Sequence, residues 1–238
     1  MTWSIIAREA QTGKFGIAVA TRFFAVGALV PYTQAGVGAI ASQALINPFF
    51  GGHGLKFLRD GLSAAATLSK LVASDDGRAH RQVHVMDATG NAAIHTGTSC
   101  IDWCGGMSEA NLSVAGNMLA NENVVAATAA AYRAHATTPF ARRLIAALKA
   151  GEAAGGDKRG KQSAALVIQG DEDWPELDLR VDDHADPLAE LERLESVSRE
   201  RFVHFMRCLP SRKNPAGITD RVMIEAEIEK ALAARQPS

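Results

Sequence analysis

Short apolar runs separated by turn residues dominate the first part of the chain and predict paired strands. Residues 3–8 and 14–21 are rich in β-branched side chains and flank the turn sequence Gln11-Thr12-Gly13, which predicts an N-terminal hairpin. Residues 36–43 mix glycine and alanine with β-branched residues, as in a strand buried on both faces. The same reasoning predicts a second hairpin and three further strands, at residues 82–96, 111–118, 163–169 and 177–181.

Apolar residues at helical spacing predict the rest of the fold. Residues 53–73 show this spacing, with a break at Gly61 and a new helix start at Ser63. Further helices are predicted at residues 123–135, 139–149, 187–206 and 219–234. Because strands come in antiparallel groups with helix pairs between them, we predict an α+β fold, a four-layer αββα sandwich of two stacked antiparallel sheets covered by helices. It would occupy residues 1–206, and a linker and C-terminal helical extension would occupy 207–238.

The composition limits which classes of molecule we expect this protein to bind. The 238 residues are 47% hydrophobic with a formal net charge of -1, which suits a globular core and provides no basic surface for nucleic acid or anionic membrane. The chain has no apolar run long enough for a membrane span and no signal-peptide pattern, so we expect a cytoplasmic protein. Three cysteines do not make a disulfide framework or a zinc site, and His80 and His84 would lie about 13 Å apart on a strand. We expect neither a metal nor a cofactor.

Thr2 is the first candidate for chemistry. If Met1 is removed, Thr2 carries both a nucleophilic hydroxyl and a free α-amine, whose ordinary pKa near 8 suits proton transfer at neutral pH. The strand predicted from Trp3 onwards would hold this terminus rigidly. The alternative is that Thr2 is an ordinary second residue with no role.

The glycine-rich stretch from Gly155 to Ser163 is the second candidate. It imitates the start of a phosphate-binding loop, but Gln162 stands where Ser or Thr should bind magnesium, and the stretch leads into a strand instead of a helix. We therefore reject nucleotide binding. Asp157, Arg159 and Gln162 could instead hold a substrate carboxylate or an oxyanion, the alternative being a solvated charged turn.

Three amide side chains are candidates for binding substrate or stabilising an oxyanion. Gln43, Asn47 and Asn117 lie at predicted strand ends or turns. Asn117 is preferred as the oxyanion donor because Gly116 permits close approach of a substrate. The alternative for each is a turn-forming role.

The sequence resembles the bacterial family DUF1028 in several segments. The resemblance rests on segments starting at Thr2, Gly16, Ala25, Ala35, Gly116, Gly155 and Leu179, among them TWSIIAR, GIAVATR, GNML and GGDKRGKQSAA. That family is grouped with the N-terminal nucleophile hydrolases, which implies an αββα fold and an N-terminal residue that attacks amide bonds. Arg22 corresponds to the second-strand arginine, with no role attached.

The proteasome-type relatives have an acidic residue and a lysine that this chain lacks. Ala20 precedes Thr21-Arg22, and residues 34–43 contain no lysine. We therefore keep two hypotheses: an N-terminal-nucleophile amidohydrolase acting on a small amide or peptide-like substrate, and a non-catalytic ligand-binding protein with the same fold. A third alternative is a structural homo-oligomer whose C-terminal helix docks on a partner.

Overall fold

The structure, a computed structural model, describes residues 2–234. In this part of the chain the strands are β1 (Thr2–Arg8), β2 (Phe15–Thr21), β3 (Pro31–Gln34), β4 (Gly38–Ala44), β5 (Arg81–Asp87), β6 (Ala92–Thr96), β7 (Trp103–Glu109), β8 (Leu112–Leu119), β9 (Ser163–Gln169) and β10 (Leu177–Val181). The α-helices are α1 (Phe49–Arg59), α2 (Ala64–Ala73), α3 (Asn123–Ala134), α4 (Phe140–Ala153), α5 (Pro187–Ser198), α6 (Phe202–Phe205) and α7 (Arg221–Ala233).

The strands form two antiparallel sheets. The larger sheet has the order β10-β9-β2-β1-β8-β7, and the smaller has the order β3-β4-β5-β6. Helices α3 and α4 pack on β1, β2, β8 and β9, whereas α1 and α2 cover β4 and β5. The uncovered faces of the two sheets meet, with β1, β2 and β8 against β4 and β5. This is the predicted four-layer αββα sandwich.

Glycines let the layers approach closely, as the composition of the strands indicated. A Cβ atom on Gly16 of β2 would collide with Leu144 of α4. On the other side, a Cβ on Gly54 of α1 would collide with Ile40 of β4. Both glycines therefore fix how near a helix lies to its sheet.

The apolar core has two parts. One lies between the sheets and is built from Ile6, Phe15, Ile17, Val19, Val26, Val30, Ala39, Ala41, Met86 and Ala165. The other lies between the smaller sheet and its helices and is built from Ile40, Phe50, Leu58, Ala64, Leu71, Val83 and Val85. Alternation along β4 explains this division, because Ala39 and Ala41 face the larger sheet while Ile40 faces the helices.

Both predicted hairpins are confirmed, and so is the break between α1 and α2, where the Ser63 hydroxyl accepts a hydrogen bond from Ala66 N. Two strands were not predicted. Strand β3 is a four-residue edge strand that begins at a proline, and β7 is a half-exposed edge strand containing Gly105-Gly106 and a register shift. The helix predicted at residues 187–206 is two helices, α5 and the short α6.

The chain divides into two compact units, one up to Leu191 and one from Glu192 onwards. The predicted boundary at residue 206 lies inside the second unit. That unit contains the end of α5, α6 and α7, with Ile228 of α7 buried and an ion pair between Arg201 and Glu225. Among the described residues, no helix has the length and apolarity needed to cross a bilayer.

Candidate functional site

Thr2 begins β1, one of the two central strands of the larger sheet, and lies between residues of two neighbouring strands. In the register of the sheet, Thr2 is opposite Thr21 on β2 and opposite Asn117 on β8. Thr21 is in turn opposite Ser163 on β9. We call the end of the sandwich defined by this row of polar residues the Thr2 end.

The side chain of Thr2 points into the space between the sheets. Ser4, two residues along β1, bonds across that space to Gln43 and His84 of the smaller sheet, and strand alternation places Thr2 on the same face. Thr2 is buried, and its Oγ1 lies 3.1 Å from Thr21 Oγ1. The hydroxyl is thus held in the inter-sheet space at the Thr2 end. Met1 lies outside the described residues.

A buried amide, Gln82 of β5, organises the surroundings of Thr2. Three acceptors share the two hydrogens of its Nε2: the carbonyl oxygens of Gly116 (2.8 Å) and Gly105 (3.2 Å) and Thr96 Oγ1 (2.9 Å). Because a carbonyl oxygen can only accept, these contacts fix which end of the Gln82 amide is the NH₂ group. Gln82 Oε1 then accepts from Gln43 Nε2 at 2.8 Å and from Asn117 Nδ2 at 2.9 Å.

Two of the predicted site residues converge on the Thr2 carbonyl. Asn117 Nδ2 lies 3.4 Å from Thr2 O, and Gln43 Nε2 lies 3.5 Å from it. Asn117 Oδ1 is buried and has no hydrogen-bond partner among the described residues. The amide hydrogens of Asn117 therefore face protein acceptors, while its buried oxygen is an unused acceptor.

His84 joins the network through contacts with Ser4 and Ser113. Gln43 Nε2 faces the carbonyl of Ala115, so Gln43 Oε1 must accept the Ser4 hydroxyl hydrogen, at 2.7 Å. Ser4 Oγ then accepts from His84 Nε2 at 2.8 Å, which leaves His84 Nδ1 to accept from Ser113 Oγ at 2.9 Å. Full burial lowers the pKa of His84 to about 3, so the imidazole is neutral.

The glycine-rich loop approaches the end of β2. Asp157 is buried and accepts from the backbone N–H groups of Arg22 (2.9 Å) and Arg159 (2.8 Å), and from the Arg159 guanidinium at 3.3 Å. Gly155, Gly156 and Gly160 all have positive φ angles, which allow the loop to turn back on the carboxylate. Asp157 thereby ties the loop to the residue that follows Thr21.

Arg22 is exposed, and its guanidinium has no hydrogen bond or ion pair among the residues that the structure describes. Gln162 is also at this end, since its backbone N–H bonds to Thr21 O, but its side chain donates to Asp183 at 3.1 Å. Of these two side chains, only that of Arg22 is unengaged.

Asn47 has a different environment. Its Nδ2 donates to Asp75 at 3.1 Å, and its Oδ1 accepts from Phe49 N at 3.1 Å, next to the start of α1. The Arg81 guanidinium, which donates to the same Asp75 carboxylate at 2.9 Å, lowers the pKa of Asp75 to about 2. Asn47 thus connects two loops, and its substrate-binding role stays a prediction.

Sequence reasoning missed several members of the network: Ser4, Thr21, Gln82, His84 and Ser113. A signal for two of them was present, because alternation along Gln82-Val83-His84-Val85-Met86 places both polar residues on the face of the buried Met86. Among the described residues, no group of three His, Cys, Asp or Glu side chains could hold a metal ion.

These features define a sandwich protein with a buried polar site at the start of its first strand. Residues 2–191 match the model of the family of unknown function DUF1028, and the chain belongs to this family. The chain is similar to the crystal structure of SPO2555 from Silicibacter pomeroyi, a DUF1028 protein, with 35% identity over 92% of this chain and 99% of that one and a TM-score of 0.85.

A second solved structure, Anbu (ancestral beta-subunit) from Yersinia bercovieri, shares 12% identity over 82% of this chain and 96% of its own, with a TM-score of 0.41. That likeness is too weak to support a statement about fold or function. No curated protein matches the chain.

Proposed function

We propose that this protein is an amidohydrolase whose nucleophile is Thr2, exposed by removal of Met1. The Thr2 hydroxyl oxygen bonds to the carbonyl carbon of a small amide, and its proton passes to the α-amine of the same residue. The C–N bond then breaks, and the departing amine takes that proton. Water hydrolyses the resulting ester, which releases the acid and restores the hydroxyl. An α-amine with an ordinary pKa of about 7.7–8.0 suits both proton transfers.

The observation that carries the proposal is the position of Thr2 between Thr21 and Asn117. A residue at a strand start that is buried and held by neighbours on both sides keeps a fixed orientation, which a nucleophile needs. The amides of Asn117 and Gln43 reach the Thr2 carbonyl only through long contacts of 3.4 and 3.5 Å. An oxyanion forming beside Thr2 would attract the Asn117 NH₂ group more strongly, so we assign Asn117 to oxyanion stabilisation.

Arg22, Asp157 and Arg159 supply the substrate-binding side of the proposal. Asp157 holds the backbone of both arginines, so it positions them without offering its own oxygens to a substrate. The guanidinium groups of Arg22 and Arg159 are suited to a carboxylate. A cytoplasmic location and a homo-oligomer stay expectations from the sequence.

A non-catalytic ligand-binding protein is the second candidate. It is favoured by the absence of charged partners in the inter-sheet network, whose members are hydroxyls, amides and a neutral imidazole. A site of this kind can hold a polar ligand without activating it. In this alternative, the α-amine of Thr2 takes no part in any reaction.

Variants at position 2 test the proposal. We expect Met1 to be removed from the wild type, Thr2→Ser and Thr2→Ala, because all three second residues are small. Intact-mass spectrometry checks this first. A panel of small amides is then assayed. We expect Thr2→Ser to keep measurable turnover and Thr2→Ala to lose at least about a thousandfold in kcat/KM. Thr12→Ala, an exposed threonine in the first hairpin turn, is the control and should match the wild type. Equal turnover by Thr2→Ala, or retention of Met1 in an active enzyme, would contradict the proposal.

A further inference from the structure

Exposed large apolar side chains are distributed unevenly over the sandwich. In the described part of the first unit, six large apolar side chains are exposed, with exposed fractions from 37% to 69%. They are Phe23, Phe24, Leu29, Leu45, Phe49 and Ile101. We call this set the apolar rim.

Topology places the whole apolar rim at the Thr2 end. The segment 22–30 follows Thr21, and the segment 45–49 follows β4 just after Gln43, whose amide reaches the Thr2 carbonyl. The segment 97–102 runs from the end of β6 to the start of β7, where Trp103 is opposite Leu119. Each of these three segments therefore starts or ends beside the polar row that contains Thr2.

The opposite end of the sandwich has a different surface. Its described connections are residues 9–14, 35–37, 60–63, 88–91, 110–111, 135–139 and 170–176, and none of them exposes a large apolar side chain. A cluster of exposed apolar side chains at one end is characteristic of a binding surface.

The same end carries an unengaged positive charge. The Arg22 guanidinium has no partner among the described residues, and it belongs to the residue that directly follows Thr21. By contrast, Arg159 is paired with Asp157, and Lys158 is paired with Asp102. A free guanidinium next to an apolar surface is complementary to a molecule with an apolar group and a carboxylate.

We propose that the substrate is an amide that joins a large apolar group to a carboxylate-bearing group, as in an N-acyl amino acid. This inference rests on the proposed function of Thr2 and assigns its substrate class. The apolar group lies on the apolar rim, the carboxylate pairs with Arg22, and the amide between them meets the Thr2 hydroxyl.

Five probes test the inference by varying the two groups separately. They are N-phenylacetylglycine, N-acetylglycine, N-phenylacetylglycinamide, N-acetylglycinamide and N-benzylsuccinamate, in which the apolar and carboxylate groups change sides. We expect one of the two probes that carry both groups to be the best substrate. Loss of either group should lower kcat/KM at least about tenfold, the size expected for a lost apolar contact or a lost bond to a charged group.

Matched variants locate the two contacts. Arg22→Gln should lower kcat/KM about tenfold or more for carboxylate probes and should lower it much less for the glycinamide probes. Arg59→Gln, an exposed arginine at the opposite end, is the control and should have no effect. Phe24→Ser should reduce the preference for phenylacetyl over acetyl. Adduct formation on Thr2 by a β-lactone with a long alkyl chain, measured by mass spectrometry, should exceed that of a short-chain β-lactone and should fall in Phe24→Ser.

The outcomes separate the two proposals. Turnover or adducts that depend on Thr2 but are equal across the probes would overturn the substrate class and leave the nucleophile standing. If no probe gives Thr2-dependent turnover or adduct, the proposed function fails and the substrate class fails with it. If Phe24→Ser leaves selectivity intact but converts an oligomer to a monomer in analytical ultracentrifugation, the apolar rim is an interface between copies and the inference is overturned.

Discussion

The space between the two sheets is apolar in one half and polar in the other. The apolar half contains residues such as Ile17, Val19 and Met86, which pack without directional contacts. The polar half contains Ser4, Gln43, Gln82, His84 and Asn117, and its hydrogen bonds fix the orientation of each amide and of the imidazole. Both halves are inaccessible to solvent, so burial alone does not distinguish them.

This difference indicates that the apolar half mainly stabilises the fold, whereas the polar half fixes the orientation of side chains. Burying apolar surface favours the folded state at roughly 25 cal/mol per Å² and tolerates small changes in shape. A buried hydrogen bond contributes only about 1 kcal/mol net, but a buried group that loses its partner costs about 1–3 kcal/mol. The polar half therefore stabilises the folded state less than apolar side chains would, but its hydrogen bonds fix a unique arrangement around Thr2.

Replacing Gln82 should produce the largest loss of stability. Gln82→Met keeps the approximate volume but removes the acceptor of Gln43 and Asn117 and the donor to Gly105 and Gly116. With several buried groups losing a partner, we expect the free energy of unfolding to fall by about 3–5 kcal/mol. Urea denaturation at pH 7 measures this loss.

Gln11→Met in the exposed turn after β1 is the matched control and should change stability by no more than about 0.5 kcal/mol. A Gln82→Met protein as stable as the wild type would mean that the polar half is not a connected network and would remove the contrast between the halves.

Much of the layered fold was predictable because its signals are local. The turn at Gly13, the break at Gly61 and the cap at Ser63 each depend on a few neighbouring residues, and the structure contains all three. Strand β7 was missed because Gly105-Gly106 has little preference for a strand, so its pairing with β8 depends on tertiary context.

The candidate site was only partly predictable, for the same reason. Thr2, Gln43 and Asn117 were selected for their chemistry and do converge in the structure. Gln82, which connects them, lies 35 residues before Asn117 and 39 residues after Gln43, and no local pattern indicates that contact. Strand alternation identifies which residues share a face, but it does not identify which strands face each other across the sandwich.

A second test uses the pH dependence of stability. His84 has a pKa of about 3 in the folded protein against an ordinary value of 6.5, because it is buried between two hydroxyls. The unfolded chain therefore binds one more proton than the folded protein between these values, so stability is full above pH 6.5 and falls as the pH decreases. From pH 7 to pH 5, this single group should remove about 2 kcal/mol.

Urea denaturation of His84→Gln at both pH values isolates this contribution. The variant should be less stable at pH 7, yet its loss of stability on going to pH 5 should be about 2 kcal/mol smaller than that of the wild type. His135→Gln, at an exposed histidine after α3, should keep the wild-type pH dependence. An unchanged pH dependence in His84→Gln would show that the buried imidazole is not the titrating group.

The smallest expected effect lies in the apolar half. Ile17→Val removes one methylene from a fully buried side chain of β2 and should lower the free energy of unfolding by about 1 kcal/mol, equally at pH 7 and pH 5. Because Ile17 packs among apolar neighbours without hydrogen bonds from its side chain, the change should leave Thr2-dependent kcat/KM within about twofold of the wild type. A loss of kcat/KM well beyond twofold in Ile17→Val, despite its small loss of stability, would show that the apolar half also orients Thr2. The division between a stabilising half and an orienting half would then be wrong.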